Sequence, residues 1–391
     1  MSEGRMPRVY ADYAAGAPLR PAALRALTEA LASDAGNASS VHREGARARA
    51  LLESAREEVA AAIGGRPLEI VFTSGATEAN NLALAGVAAA AGRPLRIAVP
   101  ATEHSSVLRT AEALVGQGHE PCILPVGGDG CSDPEAIAGL RPGLLSVAVA
   151  NAETGVLQPC AALTAAARRS GALVHLDAAQ ATTMPLDVRA LDADLVTLSG
   201  HKLGAPAGTG ALWVRPGTPL APLHHGGPQE QGRRAGTESV AALAAFATAL
   251  AAARVGLAAE STRLASLTSR LRSGILALMP GAGIAGDAAA RAPHLLDVGF
   301  PGCVAEALVS AFDLAGVAVS AGSACAAGAS TPSHVLRAMG WSAAEAGSAV
   351  RFSFGWASTT ADVARILDIL PAILAGAAAA RREGVWAADA S

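Results

Sequence analysis

From about residue 69 onward, short β-rich runs at 69–72, 95–100, 144–150, 173–176, 194–198 and 211–214 alternate with alanine-rich helical stretches. Alternation at this spacing predicts an α/β fold with a mainly parallel central sheet covered by helices. In such sheets ligands sit beyond the carboxyl ends of the strands, where loops enter helices. The polar segments 73–81, 151–155, 177–180 and 199–202 fall at those ends. A long helical region, 239–279, then leads to a strand near 295–300, a helix near 304–314, and a Gly/Ala/Ser-rich stretch at 320–331. The tail after Leu374 fades into small residues. At 391 residues the chain exceeds what one core usually fills. The expected division is a segment 1–15 packing with the small domain, a large domain 16–255, and a smaller α+β C-terminal domain 256–391.

Of 30 basic residues, only Lys202 is a lysine. Arginine substitutes wherever a positive charge suffices, but a guanidinium stays protonated and cannot condense with an aldehyde. The surviving amine therefore points to amine chemistry at Lys202; a drift toward arginine that spared one lysine by chance is the alternative. The net charge of −3, with no basic run, leaves no electrostatic footprint for nucleic acid. The longest apolar run, 240–253, falls short of the roughly 20 residues that cross a bilayer and reads as a buried helix, so no membrane association is expected. Glu3, Arg5 and Arg8 precede Tyr10 without the apolar stretch of a secretory leader, which predicts a cytoplasmic location. Cysteines at 122, 131, 160, 303 and 325 form neither a disulfide framework nor a Cys-x-x-Cys pattern, which fits a reducing compartment.

Several short motifs carry chemistry. Ser199-Gly-His201-Lys202 sets two hydrogen-bonding side chains just before the lysine, suited to a phosphate and an aldehyde held side by side. The segment 72–78, Phe-Thr-Ser-Gly-Ala-Thr-Glu, is a strand-to-helix turn of the kind whose backbone N–H groups bind phosphate; an ordinary capped helix is the plainer reading. Asp177, in His-x-Asp-x-x-Gln180, ends an apolar strand, where it either caps a helix or holds a ring nitrogen protonated. Glu103-His104 follows another strand; its imidazole either is structural or stacks on a flat ring and exchanges protons. Cys325 lies in a run of small residues that packs poorly, the kind of tether a sulfur-carrying thiol needs. Arg351 heads a short β-like run and is either a surface arginine or a fork for a carboxylate.

Taken in order, these pieces resemble the cysteine desulfurases of the class V aminotransferase family, from about Tyr10 to Thr360. The resemblance also rests on residues 36–42, 151–155 with Gln158-Pro159, 226–230, 234–238, 320–326, 333–340 and 351–355. It implies the fold type I architecture of enzymes that depend on pyridoxal 5′-phosphate (PLP). Lys202 then looks like the lysine that binds the cofactor covalently, His104 the ring-stacking acid/base, Asp177 the partner of the pyridine nitrogen, and Gln180 the donor to the phenolic oxygen. Ala76, Thr77, Ser199 and His201 resemble the phosphate cradle, with Thr237 reaching it from the partner of a homodimer. Asn151 and Arg351 are similar to the groups that orient the substrate, and Cys325 to the persulfide carrier.

The activity so implied removes sulfur from L-cysteine, leaving L-alanine and a Cys325 persulfide. That sulfur passes to an acceptor or iron–sulfur scaffold protein, with Cys325 itself a candidate transient ligand of a cluster. Ala152, Gly16-Ala17 and Ala207 depart from the family pattern, as does the lack of Gly-Lys after Gln180. A selenocysteine lyase, another class V PLP enzyme, and a non-catalytic sulfur-relay scaffold are the competing readings. An aminotransferase needs no thiol, and a dead scaffold would be free to lose Lys202, Asp177, His104 and Cys325.

Overall fold

The computed structural model describes residues 8–33, 36–322 and 332–382. In chain order the elements are β1 (Val9–Tyr10), α1 (Pro21–Leu31), α2 (Arg43–Ala62), β2 (Ile70–Thr73), α3 (Ala76–Ala90), β3 (Arg96–Pro100), α4 (Ser105–Ala113), β4 (Glu120–Leu124), α5 (Glu135–Ala138), β5 (Leu144–Ala148), α6 (Cys160–Arg168), β6 (Leu173–Asp177), β7 (Leu195–Ser199), β8 (Gly210–Val214) and α7 (Val240–Arg254). There follow α8 (Leu257–Leu278), β9 (Gly283–Ile284), β10 (Leu295–Gly299), α9 (Ala305–Leu314), β11 (Val317–Ala318), α10 (His334–Ala338), α11 (Ala343–Ala346), β12 (Ala349–Ser353) and α12 (Thr360–Arg382).

Seven strands form the large sheet in the order β2-β8-β7-β6-β5-β3-β4. All its pairs are parallel except those made by β8, which runs antiparallel to both β2 and β7. The apolar runs bury both faces because successive side chains point to opposite sides. Ile70, Phe72, Val196 and Leu198 join the core shared with α1, α2, α6 and α7, while Val71, Leu195 and Leu212 join the core under α3 and α4. The seventh strand, β4, carries no alternating or continuous apolar signal. It is an edge strand of sequence Glu-Pro-Cys-Ile-Leu, where a proline is tolerated because no ladder partner needs its missing N–H.

The long helical region over 239–279 is built of two helices, α7 and α8. Gly256, with φ 64°, caps α8 in the left-handed region, and α7 and α8 meet at 76°. Alanine on both sides hides this break from any reading of periodicity. Beyond it a separate core gathers Leu264, Leu267, Leu271 and Ile275 of α8 with Leu296 and Val298 of β10, Val350 and Phe352 of β12, and Ile366 and Leu370 of α12. Instead of fading after Leu374, α12 continues to Arg382. Val9 and Ala11 belong to that same core, because β1 pairs with β11 and Asp12 bridges to Ser353. Among the described residues no single helix is long and apolar enough to cross a membrane.

Candidate active site

Lys202 lies in the connection between β7 and the antiparallel β8, and backbone hydrogen bonds fix the shape of that hairpin. Gly200 N donates to Thr209 O at 2.9 Å, and Leu203 N and Ala205 N donate back to Gly200 O at 2.9 and 3.1 Å. A side chain at Gly200 would meet Thr209 Oγ1 at 2.1 Å, so only glycine closes this turn. The N-terminal segment clasps the hairpin from outside, with Ala17 N on His201 O at 2.9 Å and Arg20 Nε on Leu203 O at 2.7 Å. Lys202 lines a small cavity of about 30 Å³ with Tyr13, Thr183 and His294. Its charge is felt by His104, His201 and His294, all three held below the ordinary imidazole range, first by burial.

Strand ends bring the other predicted groups to the same place. Asp177, at the end of β6, is 6% exposed and accepts from Asn80 Nδ2 at 2.7 Å and Ala179 N at 2.9 Å. Asn80 also donates to Ser106 Oγ at 2.9 Å, which lies 2.7 Å from His104 Nδ1. Because Ser106 N can only donate, its 3.1 Å contact makes Nδ1 the acceptor, so the neutral ring carries its proton on Nε2. Beneath, Glu103 is 1% exposed and accepts from Ala148 N at 2.8 Å. Burial, against the opposing hydrogen bond from Ala148, and then the Asp177 charge raise the Glu103 pKa well above its ordinary value. His175, between Ser146 Oγ at 2.8 Å and Thr197 Oγ1 at 2.9 Å, is pushed down to about 4 by burial and is neutral.

The turn between β2 and α3 supplies an anion site. Gly75 caps α3 at φ 150°, no side chain caps the helix, and the first-turn N–H groups at Ala76 and Thr77 remain for a ligand. A side chain at Gly210 would meet Gly75 Cα at 2.6 Å, so β8 is drawn tightly against the turn. Ser199 Oγ, 3.2 Å from His201 Nδ1, comes from the neighbouring strand β7. A phosphate at α3, a protonated ring nitrogen at Asp177 and an aldehyde at Lys202 fit this donor set.

Other predicted residues are more constrained. Asn151 Oδ1 accepts from Glu153 N, Thr154 N and Thr154 Oγ1 at 2.9, 2.9 and 3.1 Å, and Nδ2 donates to Thr102 O at 2.8 Å. It is first the cap of its own turn, with one amide proton left over. Gln180 Nε2 donates to Ala14 O at 3.0 Å, again leaving one N–H. Arg351 sits in the middle of β12 rather than at its head, because the strand begins two residues earlier. It is 4% exposed and donates to Ala152 O and Asp12 Oδ1, both at 2.9 Å. Thr237 is exposed on a different concavity from the one that Lys202 lines. Cys325 lies outside the described residues.

The aminotransferase class-V family matches residues 9–366. A cysteine desulfurase of Cereibacter sphaeroides is 42% identical over 376 residues, 94% of this chain and 96% of the relative. An IscS-like cysteine desulfurase of Mycobacterium tuberculosis is 40% identical, covering 98% of this chain and 99% of its own. The chain belongs to the cysteine desulfurases of the class-V aminotransferase family. Among solved structures, a NifS-like protein superposes with a TM-score of 0.88 at 32% identity, covering 94% of this chain and 100% of its own. SspA in complex with cysteine superposes at 0.76 and 30% identity, covering 88% and 98%.

Reading the sequence missed several residues of this desulfurase site. His294, just before β10, bonds Thr183 Oγ1 at 2.9 Å and lies 3.5 Å from Gln180 Oε1; burial, then the charges of Lys202 and Arg351, push it down to about 3. Asp12, the counter-ion of Arg351, and Asn80, the link from Asp177 to His104, were also unseen.

Asp297 is the cross-strand neighbour of Arg351, fully buried, and neither of its oxygens has a hydrogen-bond partner among the described residues. Burial and then Glu153 raise it from 3.8 to about 7, against the opposing pull of Arg351 and Arg291. A carboxyl whose folded pKa exceeds its unfolded one weakens the fold as pH rises between the two values. Asp297→Asn is therefore expected to stabilise the desulfurase little near pH 4, and on the order of 4 kcal/mol above pH 7. Thermal melts at pH 5 and pH 8 check this, and a gap that does not widen with pH counts against a buried titrating Asp297.

Proposed function

We propose that the protein is a PLP-dependent enzyme that takes sulfur from L-cysteine, releases L-alanine and carries the sulfur as a persulfide on Cys325. The convergence of Asp177, His104 and Lys202 from the ends of β6, β3 and β7 carries this reading. Bound there, PLP supplies an electron sink that labilises the bonds of the substrate carbon bearing its amino group. The first turn of α3, with Ser199 and His201, holds the phosphate. Asp177, at the end of β6, would pair with the ring nitrogen and keep it protonated. Lys202 provides the amine, and His104, presenting Nε2, moves protons at the substrate.

Arg351 offers a guanidinium for the substrate carboxylate, with Asp12 and Ala152 O fixing its plane. In the sulfur step the Cys325 thiolate attacks the substrate sulfur. An S–S bond forms, the Cβ–S bond breaks, and its electron pair takes up a proton to give the methyl group of alanine. No external oxidant or reductant enters until an acceptor thiol removes the sulfur. We propose that the acceptor is a second protein, such as an iron–sulfur scaffold.

Purified protein mixed with PLP should develop a visible absorbance band, and a single turnover with L-cysteine should yield one alanine per reductant-labile sulfur on the protein. A protein that binds no PLP, or forms alanine without retaining sulfur, contradicts the reading.

A further inference from the structure

Arg351 lies between two acids. On one side Asp12 Oδ1 accepts from its Nη2 at 2.9 Å. On the other, Asp297 is its register partner across the β10–β12 ladder, which sets their Cβ atoms roughly 5 Å apart on one face of the sheet. Among the described residues, however, no hydrogen bond or ion pair joins Asp297 to an arginine. Both of its oxygens are buried and unpartnered, and so is the Nε of Arg351. Leaving a donor and two acceptors unsatisfied costs stability, and costs far less with a neutral carboxyl than with an ionised one.

The surrounding charges favour the neutral form. Glu153, 8% exposed in the turn after β5, borders the same point as Asp297: a side chain at Gly322 would meet Glu153 Oε2 at 3.4 Å and Asp297 Oδ2 at 4.0 Å. Arg291, in the loop before β10, donates to Ala285 O at 2.6 Å and to Thr154 O at 2.9 Å. Beyond it, Arg272 and Asp287 pair with each other at 2.7 Å near the surface. The other strand against β10, β9, is Gly-Ile and brings no charge. Asp12, Glu153 and Asp297 thus face Arg351 and Arg291, so one acid must hold a proton for the cluster to balance even before a substrate carboxylate arrives. Burial first, and the Glu153 charge second, make Asp297 that acid, raised to about 7.

We infer that Asp297 is a proton-holding positioning residue: as a neutral acid it leaves the Arg351 guanidinium to the substrate carboxylate, and once ionised it competes with that carboxylate for Arg351. The inference rests on the reading of Arg351 given above and adds the residue that controls its availability. Asp297 acts through Arg351 and needs no contact with the substrate.

The test compares the PLP-loaded wild type with Asp297→Asn between pH 6 and pH 9. Both proteins meet the same titration of the substrate's own thiol and amine, so the ratio of their KM values for L-cysteine isolates the side chain. That ratio, wild type over variant, should be near one at pH 6 and rise to about tenfold by pH 9, an ordinary coupling between two sites, while the kcat ratio stays flat. A purely structural role would move the melting temperature and leave this profile unchanged. By reciprocity, substrate binding draws a proton onto Asp297. Calorimetry of L-alanine binding near pH 7.5, in two buffers of different ionisation enthalpy, should therefore show extra proton uptake by the wild type. Asp297→Leu, close to Asp in shape and without a proton to lose, should match the Asn variant and replaces it if that variant does not fold. A KM ratio that stays flat with pH, or equal proton uptake in wild type and variant, overturns the inference. Arg351→Gln tells the two failures apart. If its KM at pH 6 does not rise, the carboxylate reading of Arg351 falls and the inference with it, whereas a raised KM beside a flat Asp297 ratio removes the role of Asp297 alone.

Discussion

Lys202→Ala should abolish covalent retention of PLP and slow alanine formation from L-cysteine by on the order of 10³-fold or more, the scale seen when an enzyme loses its covalent group. The chain has no other lysine, so no neighbouring amine can take over. Backbone bonds at Gly200 and Thr209 and the Arg20 contact on Leu203 O hold the hairpin in shape. The variant should therefore melt near the wild type without cofactor, and the loss should be chemical. Lys202→Arg should be as inactive as the alanine variant, because a guanidinium keeps its proton at any working pH. Borohydride trapping followed by peptide mass mapping is decisive: label retained in Lys202→Ala would place the reactive amine elsewhere.

Cys325→Ala should bind PLP as the wild type does yet retain no sulfur after one turnover, with alanine formation lowered by on the order of 10²-fold or more. Three of the described cysteines offer poor substitutes. Cys160 is pushed up to about 12 by burial and then by Glu103, and burial also raises Cys122 and Cys131. A thiol that titrates near 12 is almost wholly protonated at neutral pH, and the protonated form is not the nucleophile. Protein-bound sulfur is read by reductant release and by mass. Persulfide found on another cysteine of the variant, or alanine formed at the wild-type rate, would remove Cys325 from the carrier role.

What the sequence disclosed and what it withheld follow from the range of each interaction. Strands buried on both faces are continuous apolar runs, so β2, β3, β5, β6, β7 and β8 were readable within a residue or two. The edge strand β4 lacks that burial, and the bend at Gly256 lies between stretches equally rich in alanine. Lys202 stood out because no other lysine competes for attention. Asn80, Asp12 and His294 did not, since each acquires its role from a partner 97, 339 or 111 residues away. The strong upward shift of Glu103 was equally invisible, because only the fold sets it beneath Ala148 and beside Asp177.

The N-terminal segment also orders events in time. Tyr10 to Ala17 runs from the small-domain sheet to the lysine hairpin, with Asp12 on Arg351, Ala14 N on Ser353 Oγ at 2.9 Å, and Ala17 N on His201 O. Asp12 and Ala14 each leave the ribosome 339 residues before the partner they contact, Arg351 and Ser353. Contacts so distant in sequence form late, since the intervening chain must first be closed into a loop. The large sheet can assemble while translation continues, whereas the Asp12–Arg351 and Ala14–Ser353 contacts must wait for β12.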